Sequence, residues 1–481
     1  MKATRKLVRN DEREPGKRPF MKPIFQFLGL TILGGGLLVA GCGKKQAVLW
    51  QSIKNPEITA QLKSFVAEKE AQANASTNEA PPGLAHFFAA AEKGDWLAVS
   101  NAFADFRKHA GQYEHSGKTD ERLRGTRWQA IIEIWGAFDA FGEGDAKYSA
   151  AFGNDIIESI PPGSIYFGGT DAGRFVVTAM QKSQVNGDPF YRLTQNALAD
   201  STYLGYVRDM YGDKIYIPTA EDLQKCFDEY SADLQRRNEQ HQLKPGENFR
   251  IVEGKPQISG QFAVTQIDGL LAKVIFDKNP GNEFYLEESF PFDWMYPCLE
   301  PHGLIFKINR QPLSGLSDEV VQRDHDYWTN CVQPMIGDWL EDDTPLKEVA
   351  AFAEKVFLRE DFTGFAGDPR FIQNTYAHRM FSKERSSIAG LYAWRAQHAA
   401  DAAEKERMND AADFAFRQAW ALCPYSPETV FRYVNLLISR QRISDALLVA
   451  ETAAEFPSTT GTKDRQMQNL VDQLKRFQKR K

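Results

Sequence analysis

The chain has 481 residues, 42% of them hydrophobic and 25% charged, with a net charge of -6. That length suits two to four domains with sizeable cores. The acidic balance excludes a general nucleic-acid binder, which needs a basic face. Five cysteines are present, none in a Cys-x-x-Cys pair, so neither a zinc ribbon nor a thioredoxin-type centre is indicated.

In chain order, the first feature is a basic segment with Arg5, Lys6, Arg9, Lys17, Arg18 and Lys22, followed by an apolar run over residues 25–40. The run is short and broken by Gly34-Gly35-Gly36, the layout of an export signal rather than a spanning helix. It ends in Leu37-Leu38-Val39-Ala40-Gly41-Cys42, which resembles the bacterial lipobox. The resemblance implies a chain diacylated at Cys42, anchored to the lipid bilayer by that group, and retained in the cell envelope. Gly43 stands where an inner-membrane retention aspartate would, which points to the outer membrane, facing the periplasm. Met21 offers an alternative start to Met1.

Residues 43–83 read as a stalk with a charged helix over 56–71 and a polar, proline-ended linker. Residues 84–159 read as a helical segment. Leu84, Phe87, Phe88 and Ala91 form one stripe, Gly94-Asp95 a turn, and Leu97, Phe103 and Phe106 a second stripe. Trp128, Ile131, Ile132, Trp135 and Phe138 continue at helical spacing, and a further helix is expected over 146–159.

Residues 160–316 predict an α/β domain with a Rossmann-like parallel or mixed sheet. Strands are expected at 165–167, 191–194, 215–217, 284–286 and 304–308, with an aromatic connector over 290–301. Helices are expected from near Thr170 or Asp171, over 199–211 to Gly212, from the Thr219–Asp222 capping box, and over 262–276. Residues 241–256 read as a polar excursion. Residues 317–385 read as a helical connector, with Thr344 as an N-cap before Pro345.

Residues 386–481 carry a repeat resembling the tetratricopeptide kind. Ala412 and Ala446, and likewise Ala419 and Ala453, are spaced by its 34-residue period. Val430, Tyr433, Val434 and Leu437 mark a first helix, and Val471, Leu474 and Phe477 a capping helix. The resemblance implies a protein partner docked on the repeats.

The order of these parts resembles the soluble periplasmic region of protein O-mannosyltransferase-like membrane proteins. The matching residues are Ile160-Pro161-Pro162-Gly163, the turn from Gly169 to Asp171, Tyr203, Phe284-Tyr285 and Gly303-Leu304. The multispanning portion that carries glycosyl transfer in those proteins has no counterpart in these residues, so that activity is not carried over.

The candidate ligand site is the turn Gly168-Gly169-Thr170-Asp171 with Arg174, because glycines between strand and helix let a ligand approach free N–H groups. Gln195, Asn196 and Asp200 end the next strand and are expected on the same rim; Asn196 or Asp200 could instead cap a helix. Glu287-Glu288 is a carboxylate pair whose members diverge on a regular strand. Asp324-His325-Asp326 reads as a solvated helix face rather than a metal cluster, and no cofactor is indicated. Cys226, Cys298, Cys331 and Cys423 fit two disulfides or scattered core thiols. Two functions fit best: an envelope binding or scaffold module, or an accessory domain of a glycosylation system holding glycan or polyprenyl-phosphate sugar. A carboxylate-based hydrolase using Asp171 with Glu287 or Glu288 is the third.

Overall fold

The computed structural model describes residues 48–75, 79–110, 120–142, 145–169, 171–181, 189–244, 247–252, 255–259, 261–287, 289–457 and 465–479. Cys42 and the segment read as an export signal lie outside the described residues, as do Thr170 and Glu288. The chain is a mixture of many helices and one small mixed sheet.

Helices α1 (Leu49–Ser52), α2 (Pro56–Asn74), α3 (Leu84–Lys93), α4 (Trp96–His109), α5 (Thr126–Gly142) and α6 (Ala146–Ser159) precede the sheet. The α3–α4 turn forms where expected: Gly94 takes a left-handed φ of 69°, and Asp95 accepts the Ala98 N–H. The second stripe, however, runs through Trp96, Val99, Phe103 and Phe106, and Leu97 is 62% exposed. Nor does α2 stand off as a stalk. Its Ile58, Leu62, Phe65, Val66 and Ala73 are buried, and Lys69 reaches Glu133 of α5 at 2.6 Å. The charged composition of α2 hid that apolar face and the one lysine that points inward.

The α/β part contains β1 (Ile165–Gly168), α7 (Ala172–Met180), β2 (Tyr191–Thr194), α8 (Ser201–Tyr211), α9 (Ala220–Glu239), β3 (Asn248–Val252), β4 (Lys255–Ser259), α10 (Gln261–Lys278), β5 (Phe284–Leu286), β6 (Leu299–His302) and β7 (Ile305–Ile308). The main sheet has the order β2-β1-β5-β7-β6. Strands β2, β1 and β5 are parallel, in the register Ile165↔Tyr191 and Ile165↔Phe284, while β7 and β6 run antiparallel. All four residues of β1 are buried, as a central parallel strand requires.

Two expectations fail here. Residues 215–217 are not a strand: the Tyr216 N–H donates to the Asn279 side chain, whose amide returns a bond to the Tyr216 carbonyl. That side chain takes the place of a neighbouring strand. The polar excursion instead contains the β3–β4 hairpin, which pairs only with itself.

The rest is helical: α11 (Asp318–Ile336), α12 (Leu346–Phe352), α13 (Pro369–Ile372), α14 (Thr375–Gln397), α15 (Ala402–Leu422), α16 (Pro427–Ser439), α17 (Ile443–Ala454) and α18 (Arg465–Gln478). Pro345, not Thr344, is the N-cap of α12, and Thr344 Oγ1 instead accepts the Glu341 N–H. A division between residues 385 and 386 falls inside α14.

That helix is the axle of the molecule. Successive helical residues point about 100° apart, and residues 382–385 reach three different neighbours. Ser382 donates to the Ala419 carbonyl of α15, Lys383 and Glu384 face the sheet, and Arg385 binds Asp324 of α11.

Candidate functional site

The site lies at the carboxyl ends of the parallel strands, where an α/β sheet leaves a crevice between strands whose connections diverge. From β1 the chain passes through α7 to β2 on one side. Strand β5 lies on the other. The crevice between β1 and β5 is therefore flanked by the glycine turn and by Glu287, which follows β5. Because Gly168 is in register with Thr194, the turn and the segment Gln195–Ala197 share one edge.

Two glycines allow the close approach. A side chain at Gly168 would meet the Gly173 carbonyl at 3.0 Å, and one at Gly173 would meet Glu287 Oε2 at 1.7 Å. The Tyr166 hydroxyl donates to that same Gly173 carbonyl at 2.8 Å and pins the first turn of α7 to the strand. Asp171 caps α7 by accepting the Gly173 N–H.

Glu287 is fully buried in this crevice. Its Oε2 accepts the Gly169 N–H at 2.8 Å, and its Oε1 accepts from Lys383 Nζ at 2.5 Å. Lys383 also pairs with Asp171 at 2.8 Å and lies 3.5 Å from Glu384. One lysine thus serves three carboxyl groups. Burial pushes the Glu384 carboxyl well above its ordinary range; Lys383 opposes this, and neighbouring Glu287 adds to it. Asp171 and Glu287 face Lys383 and the positive N-terminal end of α7.

The chain's own carboxylate occupies the place an anionic ligand would take at the N-terminus of α7. Two other groups at this edge stay open: Thr194 Oγ1 and Gln195 Oε1 are buried without a hydrogen-bond partner, while Gln195 Nε2 donates to the Phe290 carbonyl.

The chain matches no known family, and no curated protein is significantly similar to it.

The remaining candidates divide. Gly168, Gly169, Asp171, Gln195 and Asn196 sit on one edge, as the parallel register requires. Arg174 does not face the rim. It turns inward to Glu133 at 2.8 Å and Gln129 at 2.5 Å. Asp200 caps α8 by accepting the Thr202 N–H and hydroxyl.

Glu133 is a buried hub: Lys69, Arg174 and Arg192 converge on it with the Tyr206 hydroxyl. Burial alone would raise its pKa, but those three cations hold it well below the carboxylate range. Asp268 of α10 accepts the Ala199 N–H at 2.7 Å just beyond the Gln195 turn. Burial raises its carboxyl to about 7 against that bond.

Asp324-His325-Asp326 is a solvated face only in part: Asp326 is exposed, but its two neighbours are engaged. Asp324 is buried on Arg385 and Tyr392, and His325 stacks on Phe414 while bonding Asp342. The four described cysteines are free thiols, and burial raises Cys331 and Cys423 to about 12, far from thiolate at neutral pH. Among the described residues no three His, Cys, Asp or Glu side chains are grouped to hold a metal.

Lys383 was not legible as a site residue. Its partner Glu287 is 96 residues away, and no local pattern marks a lysine that will enter a sheet crevice.

Proposed function

We propose that the chain is a lipid-anchored scaffold of the cell envelope, non-enzymatic, that holds a protein partner on its C-terminal helices. One observation carries this reading. Glu287 and Lys383 fill the crevice in which a sheet of this topology would hold a small-molecule substrate, and they join it to α14. A crevice used as a joint favours a rigid platform over turnover.

The helices after residue 386 support the partner surface. Ala412, Ala419, Ala446 and Ala453, the small residues of the tetratricopeptide spacing, are all at most 1% exposed. Helices α14 to α18 each pack on the next, as stacked pairs of that kind do. The anchor rests on Cys42.

A second reading, an accessory glycan or polyprenyl-phosphate-sugar binder, is favoured by one observation, the open Thr194 Oγ1 and Gln195 Oε1 at the same edge.

The test has two parts. A fatty-acid probe should label the wild type and leave Cys42→Ala unlabelled and released from membranes. Cross-linking in intact envelopes should then place a protein partner on α15 to α18. Labelling that survives Cys42→Ala removes the anchor. A melting temperature raised by glucose 1-phosphate, and no longer raised in Gln195→Leu, would replace the scaffold with the glycan reading.

A further inference from the structure

Away from the sheet, a cleft of about 370 Å³ opens between α11, α14 and α15. This is within the size range of small-ligand sites, roughly 300–1,000 Å³.

Its floor is made of two buried ion pairs. Arg385 Nη1 donates to Asp324 Oδ2 at 2.7 Å, its Nε donates to Gln418 at 2.7 Å, and its guanidinium lies 5.2 Å from the centre of the Trp328 ring. The Tyr392 hydroxyl donates to the same Asp324 oxygen. Arg417 donates to Asp413 at 2.5 Å and to the backbone carbonyls of Asp342 and Thr344.

Two polar atoms of this floor have no partner: Asp324 Oδ1 and Arg417 Nε. Both residues are more than nine-tenths buried, at 4% and 8% exposure, and both line the cleft. Leaving such groups unmet is costly, so a ligand that meets them gains correspondingly.

The charges decide what that ligand is. Four lining aspartates (324, 342, 410, 413) stand against three arginines (385, 407, 417), a formal net of -1 over these seven side chains. The two floor arginines already have carboxylate partners. A phosphate would meet paired guanidinium groups and repelling carboxylates; a polycation would meet the arginines. The open atoms of the floor are one acceptor and one donor; at the side of the cleft Arg407 Nη1 is a further donor without a hydrogen bond, held in an ion pair with Asp318 at 2.9 Å. A hydroxyl can donate to the first or accept from the second, and a ligand with several hydroxyls can do both. Val321 and Phe414 add apolar lining for a sugar's C–H face.

We infer that this cleft binds a neutral, polyhydroxylated ligand, a saccharide of one or two rings. The site is separate from the sheet edge and goes beyond the scaffold reading; neither depends on the other.

The full chain in detergent, titrated calorimetrically with maltose, cellobiose and N,N′-diacetylchitobiose, tests it, with glucose 6-phosphate and spermidine as charged probes. We expect at least one neutral disaccharide to bind. Ala411→Trp, which fills the cleft from α15, should weaken that binding at least tenfold with an unchanged circular dichroism spectrum. Should that variant unfold, Gln322→Trp on the exposed lip of α11 serves the same purpose. Binding by none of the disaccharides, binding by a charged probe alone, or binding untouched by the blocking variant each overturns the proposal. In the first case ordered water serves the two open atoms.

Discussion

Replacing Gly173 by alanine probes the crevice more sharply than any charge reversal. Helix propensity alone favours the change, by up to about 1 kcal/mol for an alanine replacing a helical glycine. The new Cβ, however, would lie 1.7 Å from Glu287 Oε2 and 1.9 Å from its Cδ. No packing tolerates that approach, so the carboxylate must leave the Gly169 N–H and the Lys383 ammonium. Breaking a buried ion pair costs about 3–5 kcal/mol, so the variant should lose about 2–4 kcal/mol net. Gly205, inside α8, is the control, because nothing lies within 4 Å of a Cβ built there. Gly205→Ala should stabilise by up to about 1 kcal/mol. Urea unfolding followed by circular dichroism reads both. If Gly173→Ala matches or exceeds the wild type, Glu287 does not occupy the crevice.

Glu133→Gln leaves Lys69, Arg174 and Arg192 buried around a neutral amide, so we expect a loss of at least about 3–5 kcal/mol in the same assay; a change below about 1 kcal/mol would show that the hub does not bear on folding. Asp268 titrates near 7 in the folded chain, above its ordinary 3.8. The folded state therefore keeps a proton that the unfolded state releases, and stability falls as pH rises from about 4 to about 7, by up to about 4 kcal/mol. Asp268→Asn should flatten that window relative to the wild type, and an unchanged pH slope would refute the assignment. Ala453→Arg puts a long charge at a position 1% exposed in α17, and a cost of at least about 3 kcal/mol is expected; a wild-type melting curve would dissolve the packed-pair description of α16 and α17.

What the sequence made legible was local. Asp171, Asp200 and the Thr219–Asp222 box cap helices within a few residues of themselves, so their chemistry is written in short spacings. Strands β1, β2 and β5 announce themselves as short β-prone runs, and parallel register then places Asp171 and Asn196 on one edge. What stayed hidden was long-range. Residues 215–217 look like a strand, but an asparagine side chain from beyond α10 takes the backbone bonds a neighbouring strand would supply. Arg174 sits beside the turn in sequence yet faces the opposite way, because Glu133 on α5 demands cations. Lys69 and Lys383 look like two of many surface lysines, and only the fold shows that each answers a buried carboxylate.

The most direct measurement of the account is a double-mutant cycle on Glu287→Gln and Lys383→Met, read as unfolding free energies of the full chain. If the two side chains close the crevice and lock α14 to the sheet, the single losses should not add. A coupling of about 2–3 kcal/mol is expected, in the upper part of the range for residues in contact. Additivity within about 0.5 kcal/mol would contradict the joint, and with it the argument that this sheet edge serves a scaffold.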